Sequence, residues 1–394
     1  MMARMTRWIL LWVSLLLVGG CAALGFGGLE VESVGLSAQR PSNVAVYLWA
    51  AHDGEPLTEL VESNFRVYEN EQELNPATVG LTILPRDLAA VHHTLLLVDM
   101  SGESDEARKR IAKGTAAFVQ KVRQLQSVTV YAFDGSARIQ LIGEFPQQPG
   151  GSALESIPAL ESFQPRDPSR DLYGSVVQAL DQLDARLMRT QKPLRIGTLF
   201  VFTRGPDLAA RVDEDQLWNT LDTTRHQVMA MGLGDEDQPH LDVIGRSGIL
   251  RAQAVDTIPI AFEDAALKVR SAMERYYLVS YCSPSRAGQR TLRVEVSITD
   301  REGQEVVGDV LLEFNADGFG PGCDAKAPPR FVVQAPGTPP GASAEESGVS
   351  VGAPAATEAS PTGTEEPSAE PDAGESETEE VVPPPDKPGY APME

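Results

Sequence analysis

Apolar runs alternate with amphipathic stretches through the middle of this chain. Thr94-Leu95-Leu96-Leu97-Val98 is apolar enough, over enough residues, for a strand covered on both faces. Residues 127–133 and 196–203 read the same way, and residues 226–231 form a further strand closed by Gly232-Leu233-Gly234. Between them lie helical periods. Ser104-Asp105-Glu106 caps a helix reaching Val122, with Ile111, Phe118, Val119 and Val122 on one face. Leu172-Tyr173 opens another, with Val176, Val177, Leu180 and Leu183 inward, and residues 213–223 and 258–273 give two more. Strands alternating with helices predict a doubly wound, mostly parallel sheet with helices on both faces. Asp134-Gly135 predicts a hairpin turn, returning residues 137–142 as an antiparallel edge strand.

This α/β segment spans residues 88–275 and is flanked by strands of period two. Before it, Val44-Ala45-Val46-Tyr47-Leu48-Trp49, Phe65-Arg66-Val67-Tyr68-Glu69 and residues 79–84 read as strands, separated by turns at His52-Asp53-Gly54-Glu55-Pro56 and Asn70-Glu71. They define an N-terminal β-region at 42–87. After it, residues 276–281, 291–298 and 306–314 alternate in the same way and define a C-terminal antiparallel β-region at 276–323. The pattern leaves open whether the two regions form one module.

The first residues bear on location. Arg4 and Arg7 precede a nearly continuous apolar run from Trp8 to Val18, too short and too Gly-broken for a membrane span, so residues 1–20 read as an export signal. Val18-Gly19-Gly20-Cys21 resembles a bacterial lipobox, which implies lipidation of Cys21 and a tether over 21–41. An ordinary cleaved signal with an incidental cysteine is the alternative. Ala22 after the cysteine resembles lipoproteins of the outer membrane, so the expected location is the bacterial envelope, periplasmic or surface-facing. Cys282 and Cys323 then remain. In an exported chain two leftover thiols most simply pair, and the alternative is two unrelated buried thiols. No His lies near either, which argues against zinc.

Charge adds a tail. The formal net charge is −23, and residues 324–394 hold 14 Asp and Glu against 3 Lys and Arg. That stretch, rich in Pro, Gly, Ala, Ser, Thr and Glu, offers too little apolar area to offset chain entropy and is expected to be disordered. No basic cluster suggests nucleic acid.

Four local patterns in the α/β segment resemble the von Willebrand factor A family: Leu96-Leu97-Val98-Asp99-Met100-Ser101, Val130-Tyr131-Ala132-Phe133-Asp134, Asp171-Leu172-Tyr173-Gly174-Ser175-Val176, and Phe200-Val201-Phe202-Thr203-Arg204-Gly205 followed by Met229-Ala230-Met231-Gly232-Leu233-Gly234. The resemblance implies a metal-ion-dependent adhesion site at the carboxyl edge of the sheet. That site is built from an Asp-x-Ser-x-Ser loop, a Thr and a further Asp. Asp99 and Ser101 match. Glu103 replaces the second Ser, Arg170 stands at the Thr position and Arg204 at the Asp position. Guanidinium groups cannot ligate a cation and repel one, so the expectation is a degenerate site without a metal cofactor. In it Asp99 and Glu103 face Arg170 and Arg204 as ion pairs. Two alternatives stay open. The four side chains could splay into solvent, or a shifted metal set could use Ser169, Asp171, Asp167 or Asp207.

Five histidines (52, 92, 93, 226 and 240) fall in no catalytic arrangement, and no Gly-x-Ser-x-Gly, Walker loop or His-Glu-x-x-His is present. The expectation is therefore not an enzyme. It is a lipid-anchored protein that binds or scaffolds an unidentified protein partner. A cation-dependent adhesin and a structural envelope-assembly factor are the alternatives.

Overall fold

A computed structural model of the chain describes residues 28–102, 104–234 and 238–331. The export signal, Cys21, Glu103 and residues 332–394 of the expected tail lie outside the described residues. In chain order the elements are β1 (Leu29–Gln39), β2 (Asn43–His52), β3 (Glu55–Pro56), β4 (Phe65–Glu69), β5 (Gln72–Glu73), α1 (Pro76–Val79) and β6 (Thr82–Leu84). There follow β7 (Ala90–Asp99), α2 (Asp105–Val122), β8 (Ser127–Phe133), β9 (Gln140–Phe145), α3 (Pro158–Glu161), α4 (Leu172–Met188) and β10 (Leu194–Thr203). The rest are α5 (Glu214–Thr223), β11 (Gln227–Leu233), α6 (Pro239–Ile244), β12 (Ile249–Ala252), α7 (Ile258–Glu274), β13 (Tyr276–Cys282), β14 (Gln289–Thr299) and β15 (Glu305–Asn315).

The central sheet has the order β12-β11-β10-β7-β8-β9. All neighbours run parallel except β9, which is antiparallel to β8. The period of two sorts each buried strand between two cores. Leu96, Val98, Val130, Phe200, Phe202 and Met231 pack under α2 and α7, while Leu95, Leu97, Leu199, Val201 and Ala230 pack under α4, α5 and α6. Both faces are covered, which is why these strands read as unbroken apolar runs. Ser104 caps α2 by accepting from the Ala107 N–H, and Asp213 caps α5 through Gln216 N–H. The edge return differs from the two-residue hairpin expected. Asp134 is fully buried and ties its own loop, so the chain needs residues 134–139 before β9 begins.

Two further sheets form a β-sandwich. One has the order β1-β2-β13-β6, with β3 on β2, and the other β15-β14-β4-β5. Val44, Val46, Leu48, Tyr277, Val279 and Tyr281 of the first face Phe65, Val67, Leu292, Val294 and Val296 of the second. Strand β13, which follows the α/β domain, pairs with β2 and β6, which precede it. The flanking β-regions are therefore one module, and the α/β domain is inserted between β6 and β13. The opposite face of the first sheet, with Ala45, Tyr47 and Leu278, packs against Ala90 and Leu194 at the amino edge of the central sheet. Tyr47 Oη and His92 Nε2 meet there at 2.7 Å.

Three expectations are corrected. Residues 29–39 of the expected tether are instead β1, paired along its length with β2, and Leu29, Ser33 and Ser37 are buried. Residues 324–331, expected to belong to the tail, are held in the fold. Asn43 Nδ2 donates to the Asp324 carbonyl, Ser37 Oγ donates to the Arg330 carbonyl at 2.8 Å, and Phe331 is buried beside Ala45 and Leu194. Residues 79–84 are not one strand, since Asn75 accepts from Ala77 and Thr78 N–H and caps the short α1 before β6. Cys282 and Cys323 are joined in a disulfide. Among the described residues no helix is long and apolar enough to cross a membrane.

Candidate functional site

The parallel strands deliver their carboxyl ends to one edge, where open α/β sheets place ligands. Strand β7 ends at Asp99, which is fully buried. Its Oδ1 accepts from Ser101 N–H at 2.9 Å, closing the turn after the strand. Its Oδ2 accepts from Arg170 Nε at 2.5 Å, Arg204 N–H at 2.8 Å and Thr203 Oγ1 at 3.3 Å. One carboxylate oxygen thus gathers donors from the loop before α4 and from the end of β10.

Arg170 is bound on both sides. Its Nη1 donates to the Pro206 carbonyl at 3.0 Å, and its own carbonyl accepts from Leu208 and Ala209 N–H. Its side chain is 12% exposed against 0% for Asp99, so this is an ion pair largely removed from water. Arg204 behaves differently. Only its backbone N–H reaches Asp99. The guanidinium lies across Gly102, where an added Cβ would fall 1.4 Å from Nη1, so any side chain there would displace the guanidinium. Arg204 Nε and Ser101 Oγ are both buried without a hydrogen-bond partner among the described residues. The expected arrangement of two carboxylates against two arginines is therefore realised for Asp99 and Arg170, and Glu103 lies outside the described residues.

A second ring of carboxylates shapes the loops. Asp134 accepts from Ser136 N–H and Arg166 N–H, each at 2.7 Å. Asp167 accepts from the Ser169 N–H and hydroxyl, which hold its carboxyl below the usual range. Asp207 accepts from Tyr173 N–H at 3.1 Å and Ala210 N–H at 2.7 Å. Asp171 is 1% exposed at the start of α4, and among the described residues its Oδ1 has no hydrogen-bond partner. Burial, then the charge of Asp207, pushes its pKa up to about 6. Arg211 Nε stands 3.9 Å away.

The donor set does not fit the divalent cation that the family resemblance implies. Arg170 holds the carboxylate oxygen a cation would need, and a guanidinium stands at each of the two further ligand positions. In the shifted set, oxygens of Asp167 and Asp207 already accept from Ser169, Tyr173 and Ala210, and Asp171 Oδ1 remains without a donor among the described residues. Among the described residues no group of three or more His, Cys, Asp or Glu is arranged to hold a metal. Sequence reading missed Thr203 as a donor to Asp99. It also missed His240 on α6, whose buried Nε2 lacks a partner among the described residues and whose pKa burial and the Arg170 charge lower. The six-residue α6 is too short to show helical periodicity.

No family model matches the chain, and no curated protein matches it significantly. Solved structures similar to it include proximal thread matrix protein 1 from the mussel byssus, at 13% identity and TM-score 0.37, covering 54% of this chain and 50% of that one. The chain thus spans half the length of the mussel protein. The PilB minor pilin of Streptococcus sanguinis aligns at 10% identity and TM-score 0.33 over 62% of this chain and 78% of that one. The vWF domain of the type V pili tip protein Mfa5 from Porphyromonas gingivalis aligns at 8% identity and TM-score 0.33 over 47% of this chain and 96% of that one. The α/β architecture itself stands on the strand order and the two covered faces described above.

Proposed function

We propose that this is an exported, lipid-anchored protein of the bacterial envelope whose inserted α/β domain binds or scaffolds a protein partner without a divalent cation. The observation that carries the cation-free reading is the 2.5 Å contact from Arg170 Nε to the buried Asp99 carboxylate. That contact puts a fixed positive charge on the carboxylate a cation would need. The role proposed is one of binding rather than catalysis, since among the described residues the carboxyl edge offers a neutralised ion pair and no nucleophile hydrogen-bonded to a base. The lipobox-like residues through Cys21 support the anchor.

Thermal unfolding of the full chain with magnesium, manganese or EDTA tests the reading. The expected result is one midpoint in all three conditions. A metal-dependent rise means that the native state binds the cation, and the protein is then a cation-dependent adhesin with a non-standard site. Loss of membrane fractionation on Cys21→Ser tests the anchor.

A further inference from the structure

At the amino edge of the central sheet, the end opposite the carboxyl-edge loops, lies a cavity of about 480 Å³. Its walls are the β2–β3 hairpin at Gly54-Glu55-Pro56, the start of β11 with the Arg246-Ser247 turn, and α7. That volume is typical of a small-ligand site.

Three cations line it, Arg246, Lys268 and Arg275, against one carboxylate, Glu55. The Arg275 guanidinium forms no ion pair or hydrogen bond among the described residues. Its Nε is shielded, so the Nη groups are the donors a ligand meets. The group is held in place all the same, 4.2 Å from the centre of the Trp49 ring and 5.6 Å from that of Tyr276. Arg246 is fixed in the same way, 4.7 Å from the centre of the Trp218 ring, with Asp222 on its Nη1. Lys268 and Glu55 stand 3.8 Å apart, beyond hydrogen-bond distance.

Charge and shape select the ligand. The cations approach from two walls, α7 and the turn before β12, so a tetrahedral phosphate satisfies them better than a planar carboxylate. Apolar side chains accompany them. Leu267 on the α7 wall is 50% exposed, and Ile249, three residues after Arg246, is 37% exposed. Basic groups beside exposed apolar ones suit the surface of an anionic bilayer. Chain connectivity brings this end close to one. Leu29 opens β1 and pairs with His52, two residues before Gly54 of the cavity wall. Eight residues separate Cys21 from Leu29, a reach of at most about 29 Å.

We infer that this cavity binds the phosphate of an anionic phospholipid in the bilayer that holds the chain, with Arg275, Lys268 and Arg246 around the phosphate and Leu267 toward the acyl chains. This goes beyond the proposed function and rests on its lipid anchor. It gives the anchored chain a second membrane contact. Because the strands run from the amino to the carboxyl edge, a lipid held at one edge directs the other away from the bilayer, toward a partner.

The test titrates the full chain with dihexanoylphosphatidylglycerol by calorimetry, with dihexanoylphosphatidylcholine and inorganic phosphate as controls. The phosphatidylcholine, of the same chain length, corrects for uptake into detergent. Expected are affinity for the anionic lipid at least tenfold above both controls, loss of at least tenfold in Arg275→Gln, and loss of several-fold in Lys268→Glu. Leu267→Ser weakens the lipid but not inorganic phosphate. An unchanged melting midpoint verifies the fold of Arg275→Gln, and if that variant does not fold, the exposed Lys268→Glu gives the answer alone. Equal affinity for phosphatidylcholine, absence of binding, or unaltered binding by Lys268→Glu overturns the inference. Inorganic phosphate bound as tightly as the lipid overturns it in favour of a soluble phosphate. Mass spectrometry of Cys21 separates the two readings. An acylated Cys21 without lipid binding sinks this inference alone, and an unacylated Cys21 sinks the anchor and the membrane placement with it.

Discussion

Arg170 and Asp99 stand 71 residues apart in sequence and meet at 2.5 Å inside the protein, the carboxylate fully buried and the guanidinium nearly so. This pair converts a loop cluster that resembles a cation site into a self-neutralised one. It also ties the ends of β7 and β10 to the loop before α4, because Arg204 N–H and Thr203 Oγ1 share the same carboxylate oxygen.

Removing one partner of a buried pair strands the other. Arg170→Met is expected to lower stability by about 3–5 kcal/mol, whereas Asp99→Asn combined with Arg170→Met recovers part of that loss. Urea unfolding of the two single variants and the double variant checks this. A single-variant cost below about 1 kcal/mol would place the pair in effective contact with water.

Asp171 works against the fold at neutral pH. Its folded pKa of about 6 lies above the unfolded value near 3.9, so the folded state holds the proton more tightly. Stability from this group is full below about pH 4 and is lost as pH rises to about 6. Asp171→Asn is therefore expected to raise stability at pH 7.5 by at most about 3 kcal/mol, with no gain below about pH 4. Denaturant midpoints at the two pH values decide it.

His93 has the opposite sign. It is 6% exposed, its Nε2 lies 2.9 Å from Thr129 Oγ1, and burial followed by the Arg186 charge pushes its pKa down to about 4. Between pH 6.5 and 4 the unfolded chain binds a proton that the folded one does not, so stability present above 6.5 is lost as pH falls. The expected loss from this group between pH 7.5 and 5 is about 2 kcal/mol. His93→Gln should remove it, giving a flatter acid limb in unfolding curves.

The disulfide closes a loop of 41 residues from the end of β13 to the segment after β15. Replacing both Cys282 and Cys323 by serine is expected to cost about 4 kcal/mol on the chain-entropy relation. Because the bond lies in the sandwich, hydrogen exchange should quicken in β14 and β15 before it does in β7 or β10.

Legibility in the sequence followed burial symmetry. Strands β7, β8, β10 and β11 are covered on both faces and stand out as apolar runs, and Ser104 announces α2. Strand β1 did not, since Leu29-Glu30-Val31-Glu32-Ser33 is preceded by Gly27-Gly28 and followed closely by Gly35, small residues typical of a linker. Phe331 also escaped notice, because the apolar cluster it joins is assembled from residues distant in sequence, such as Ala45 and Leu194. At the site, Asp99, Ser101, Arg170 and Arg204 were found by position along the chain. Thr203 and His240 were not, since nothing local distinguishes a buried donor from an ordinary residue at a strand end or on a short helix.

The sequence by itself determined the alternation of strands and helices, the doubly wound sheet, the cysteines available to pair, and arginines at two positions where a cation's ligands would stand. Those are properties of local periodicity and residue type. Tertiary structure alone decided that the β-regions on either side of the inserted domain form one sandwich, since the pairing of β13 with β2 depends on contacts more than two hundred residues apart. It also decided that Arg170 neutralises Asp99 while Arg204 does not. A long guanidinium side chain can take many directions from one backbone position, and only the packed loops around Gly102, Thr203 and Pro206 select one for each.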